Sequence, residues 1–87
     1  MVNVVGKTIE DYDSERLLSA VERAIATDRV PIGDAKTLSN RVIKQIERWL
    51  TDKTEVTSQE LRLQTAAVLD DYDADAAYLY ENEKRLF

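Results

Sequence analysis

A chain of 87 residues has room for one domain around one hydrophobic core, and 44% apolar with 33% charged residues is the balance of a folded, water-facing protein with no transmembrane run. Without Cys or His there is no disulfide, thiolate nucleophile, ordinary zinc site or Ser-His-Asp triad, and no side chain titrates unaided near neutrality, so catalysis is not expected. A net charge of −5 opposes binding to nucleic acid or to an acidic membrane, and the start of the chain lacks a basic segment followed by an apolar one, so a cytoplasmic location is expected.

Val4 and Val5, then Gly6-Lys7, then Thr8 and Ile9 read as strand, two-residue turn, strand, with Gly6 at the first turn position of a type II′ hairpin. The second strand runs to about Tyr12. Asp13 or Ser14 then offers an oxygen to cap a helix, and Glu15 complements its positive end. Leu17, Val21, Ala24 and Ile25 recur at helical spacing and form its inward stripe. Pro31 and Gly33 mark a turn, after which a second helix is expected from about Asp34, with Leu38, Val42, Ile46 and Trp49 or Leu50 on one face. Trp49 reads as a core anchor at its last turn rather than as a stacking platform.

Thr51 to Glu55 reads as a short polar connection. Thr57-Ser58-Gln59-Glu60 has the spacing of a capping box, and Leu61, Thr65, Val68 and Leu69 continue a third helix on one face. Asp70 to Asp75 interrupts it, and Asp73 caps a fourth helix from Ala74 towards Phe87, with Ala76, Tyr80 and Phe87 near one side. A two-stranded hairpin is marginal alone, so the expected fold is α+β and mostly helical: one domain over 1–87, an N-terminal antiparallel hairpin covered by about four helices.

Three chemical readings fail on spacing. Asp71, Asp73 and Asp75 alternate as in a calcium loop, but Ala76 stands where that loop needs Gly and Asn82 where it needs a bidentate Glu. Gly6-Lys7-Thr8 ends like a phosphate loop, without the earlier Gly and without a helix at Thr8. Glu10, Asp11, Asp13 and Glu15 hold no spacing that selects an acid and base pair.

Two strands and four helices in this order resemble the ATP-cone, the small nucleotide-binding regulatory domain at the front of many ribonucleotide reductases. The residues that carry the resemblance are the hairpin with Glu10 and Tyr12-Asp13, then Arg16-Leu17 and the helix over 20–24. Val42, Val56-Thr57-Ser58 with Leu61, and Ala76-Ala77 with Tyr80 and Lys84 follow. The resemblance spans nearly the whole chain. It implies a non-catalytic domain that binds ATP or dATP, with Mg²⁺ offsetting phosphate charge, and controls the assembly of a protein partner or of itself. Carried over position by position, Glu10 and Asp13 would touch polar groups of the nucleotide, and Arg16 and Lys84 its phosphates, with Lys7 at the turn as a further cation to offset phosphate charge. Leu17 and Leu61 would wall the base and Thr57 would hydrogen-bond it.

Where the family's hairpin usually reads Lys-Arg-Asp-Gly, this chain has Val4-Val5-Gly6-Lys7. Two charge-assisted hydrogen bonds to phosphate, each worth roughly 1.5–3 kcal/mol, are absent at these positions. The alternative is therefore a cone that no longer binds nucleotide and serves as a protein-interaction module or small inhibitor, with Val4 and Val5 as an apolar hairpin edge.

Overall fold

The computed structural model describes residues 2–6, 9–26 and 32–82. Strands β1 (Asn3–Val5) and β2 (Ile9–Asp11) lead into helix α1 (Ser14–Ile25) and then α2 (Ile32–Leu50). Strand β3 (Glu55–Thr57), α3 (Ser58–Tyr72) and α4 (Ala74–Glu81) complete an α+β, mostly helical fold. No helix among the described residues is long and apolar enough to cross a membrane.

The sheet has three strands in the order β2-β1-β3, where the sequence suggests only a hairpin. β1 pairs antiparallel with β2 and parallel with β3, Val5 facing Ile9 on one side and Thr57 on the other. The third strand escaped notice because it is three residues long with one buried position, Val56, inside a run that is otherwise polar. It forms because β1, itself carrying buried Val4, offers it a ladder on a side that water would otherwise have to satisfy. β1 is therefore central, and Val4 and Val5 are not a free hairpin edge.

The turn differs from the type II′ expectation as well. The Val5–Ile9 pairing leaves three positions between the strands, and Gly6 does not have the positive φ that a type II′ turn demands at its first position. Lys7 and Thr8 lie outside the described residues. What Gly6 satisfies is a close approach: a Cβ built there would meet Ser58 Oγ at 2.9 Å.

The helix starts follow the sequence. Asp13 accepts hydrogen bonds from the amides of Glu15 and Arg16 at 3.1 and 3.2 Å. Thr57 and Glu60 form the full capping box, each bond 3.0 Å. Asp73 caps α4 through the amides of Asp75 and Ala76. Two boundaries move. α2 begins at Ile32, before Asp34, and α3 runs on through Asp70 to Tyr72, so only Asp73 breaks the helical run.

α1 packs on α2 and α4, and α3 packs on the same two, so the four helices close a ring with the sheet against α3. Its core holds Leu17, Val21 and Ile25 of α1, Val42 and Ile46 of α2, and Leu61 and Leu69 of α3, each buried. Burying a side chain of this size is worth roughly 1.5–3 kcal/mol, which is how short strands and four-turn helices hold together. Ser39 and Thr65 are buried too, and each hydroxyl donates to the carbonyl four residues earlier, Ala35 and Leu61. Tyr80, fully buried from α4, has its hydroxyl pushed up to about 12 by burial, while Thr65 and the Arg62 charge act in the opposite direction.

Candidate functional site

The residues singled out from the sequence fall at two junctions. At the first, β2 runs into α1: Glu10 sits on the edge strand, Asp13 caps the helix, and Arg16 follows one turn in. The guanidinium of Arg16 reaches back over β2 and pairs with the Glu10 carboxylate at 3.2 Å, both side chains about half-exposed. Tyr12 ties this junction to α2 by donating to the Glu47 carboxylate at 3.5 Å. Burial first, and the Glu47 charge second, push its hydroxyl well above the ordinary phenol range.

At the second junction β3 runs into α3, with Thr57 as the cap beside Gly6. Glu60 is held below the ordinary carboxylate value of 4.5, first by the hydrogen bond from the Thr57 amide and then by the one with its side chain. Thr57 Oγ1 accepts from the Glu60 amide, and its hydroxyl proton is directed at the Glu60 carboxylate, so both ends of this hydroxyl serve the cap.

Strand direction sets the two junctions apart. Asp11 pairs with Asn3 and Thr57 with Val5, so α1 starts at one end of the sheet and α3 at the other. Strands β2 and β3 flank β1 at about 4.8 Å each, which adds about 10 Å across the sheet. Glu10 and Arg16 are thus brought together, whereas Asp13 and Thr57 are not. Leu17 and Leu61 are both fully buried, so a ligand would reach them only if the helices part. Lys7 and Lys84 lie outside the described residues. The group presented to a ligand here is the Arg16–Glu10 pair, while the Thr57 hydroxyl is engaged with Glu60. Among the described residues there is no group of three His, Cys, Asp or Glu that could hold a metal ion.

A different face, missed in the sequence, gathers more cations. Arg41, Lys44, Gln45, Arg48 and Trp49 of α2, with Tyr72 from the end of α3, line an open groove of about 500 Å³. Gln45 Nε2 donates to the Tyr72 hydroxyl and holds the two helices in register. The Lys53 ammonium stands 4.9 Å from the centroid of the Trp49 ring, a distance at which the ring face attracts a cation. No described carboxylate pairs with Arg41, Lys44 or Arg48. The signal was present in the spacing, since cations at i, i+3 and i+7 share a helix face. It was hidden by the chain's overall negative charge.

Compared with protein-family models, with curated proteins and with solved structures, the chain matches none.

Proposed function

We propose that this chain is a non-catalytic nucleotide-sensing module of the ATP-cone kind, which binds ATP or dATP with Mg²⁺ and controls the assembly or activity of a cytoplasmic protein partner such as a ribonucleotide reductase. The observation that carries the reading is the Arg16–Glu10 pair. It keeps a cation half-exposed beside the edge strand, one turn into the helix that follows the hairpin, which is the order the resemblance requires. Arg16 would hold phosphate, exchanging one carboxylate for another anion, and Glu10 would then be released to a polar group of the nucleotide or to Mg²⁺. Thr57 would add its hydroxyl from the other end of the sheet once released from Glu60.

Calorimetry with ATP and with dATP in Mg²⁺ tests the reading. Heat is expected below millimolar nucleotide, and Arg16→Ala should weaken binding roughly tenfold to a hundredfold, the worth of one charge-assisted hydrogen bond. Lys36→Ala, on the exposed face of α2, should leave it unchanged. No heat at millimolar nucleotide refutes the proposal, and equal effects of the two substitutions refute the site.

A second reading, the cone that has lost its ligand and keeps only protein contacts, is favoured by Val4. Where the resemblance expects a hairpin cation, Val4 is a core residue with 2% of its surface exposed. The apolar residue that the edge strand does present is Ile9, 69% exposed on β2. Under this reading Ile9→Lys abolishes partner binding and nucleotide has no effect on it.

A further inference from the structure

Charge is divided between elements. α2 carries four cations against two carboxylates, whereas α3 and α4 together carry one cation against five, with Asp73 a sixth carboxylate between them. The acidic helices also hold a groove of their own, lined by buried Ala66 and Ala77, by the carboxylates Asp70 and Glu81, and by Leu63 and Tyr78. These last two are among the most exposed large apolar side chains described, at 57% and 67%. The alanines make the groove shallow enough for a helix to approach, and the carboxylates give it a sign opposite to that of the ridge on α2.

We infer that the occupant of this acidic groove is the basic ridge of a second copy of the chain. Arg41, Lys44 and Arg48 lie along one face of α2 over about 10 Å, the rise of seven residues. In the contact Arg41 and Arg48 meet Asp70 and Glu81 of the neighbouring copy, and Trp49 and Tyr72 cover the exposed Leu63 and Tyr78. A two-fold pairing of like faces is opposed, because it sets carboxylates on carboxylates or cations on cations. The unlike faces are also sterically compatible. Leu63 and Tyr72 are nine residues apart on α3, about two and a half turns, so the acidic groove and the basic one lie on opposite sides of that helix. Each copy therefore keeps one groove open after using the other. Assembly is head-to-tail and grows with concentration instead of stopping at a pair. The inference stands with or without nucleotide binding at the hairpin.

Sedimentation velocity over a concentration series tests it, with two charge-reversed chains. In about 50 mM salt the wild-type chain is expected to gain apparent mass beyond a dimer as its concentration rises, and to lose it in about 500 mM salt, where screening shortens the reach of the charges. R41E/R48E reverses the ridge and D70K/E81K reverses the groove, and each alone should remain monomeric. An equal mixture of the two should assemble again, because each ridge then faces a groove of opposite sign. Circular dichroism of each variant shows that its helices persist. A wild-type chain that stays monomeric at every concentration in low salt, a stable two-fold dimer indifferent to these charges, or a mixture of folded variants that does not assemble would each overturn the inference.

Discussion

Thr57 closes both halves of the capping box: its side-chain oxygen accepts from the Glu60 amide, and its backbone amide donates to the Glu60 carboxylate. Replacing a Thr cap by Ala costs about 1 kcal/mol in comparable helices, and Thr57→Ala should lose that much in urea unfolding at neutral pH. The pH dependence has a definite sign. Glu60 is more acidic folded than unfolded, so its contribution is present above the ordinary carboxylate value and is lost as pH falls through the folded one. As pH falls through the carboxylate range the difference between wild type and Thr57→Ala should therefore shrink, since protonation of Glu60 takes from the wild type a hydrogen bond with the Thr57 hydroxyl that the variant already lacks. A difference that persists undiminished in acid would place the whole effect in the bond from the Glu60 amide to Thr57 Oγ1. Both halves of this box were legible in the sequence, because a capping box is a local pattern read within four residues.

Among the elements, β3 depends most on what lies far from it. Its ladder with β1 exists because the chain returns beside Asn3–Val5 after two helices, and nothing local announces that return. The short strand brings Thr57 and Ser58 against the hairpin, where Gly6 has no Cβ and Ser58 Oγ fills the space. Gly6→Ala should cost about 1 kcal/mol, because the serine hydroxyl must turn aside and the start of α3 shift with it. Ser58→Ala should recover most of that loss in the double variant, and thermal unfolding of the four chains reads the coupling directly. Strict additivity would mean that the approach is looser than 2.9 Å. The helices, by contrast, were legible from apolar spacing: Leu17, Val21, Ala24 and Ile25, and likewise Leu61, Thr65, Val68 and Leu69, all lie in the interior. Their ends were legible where a side chain caps them. The start of α2 was not, since Pro31 and Gly33 suggested that it begins two residues later, at Asp34, than it does.

At the scale of the whole molecule the closed ring of helices makes one core, with α1 and α3 on a diagonal and residues from every element but the edge strand β2 meeting inside. Such a core has no part that can leave alone. Unfolding should be a single cooperative transition, with calorimetric and van't Hoff enthalpies equal and far-UV and near-UV signals coincident. A separate early transition of the sheet would show that β1 and β3 are an appendage instead. The candidate site was legible only in part, and the reason is physical. The sequence named Glu10 and Arg16, whose pairing follows from a strand leading straight into a helix. It also grouped Asp13 with Thr57, which strand direction sends to opposite ends of the sheet. The grooves on either side of α3 depend on which helix faces pack together, and no single segment holds that information.

The chain has one tryptophan, and it stands at the edge of the basic groove with an ammonium over its ring. Indole emission shifts with the charges close to it. Carboxylates brought up to Arg48 and Lys53 would change that field at a single chromophore. The protein thus carries an unlabelled optical gauge of this one face.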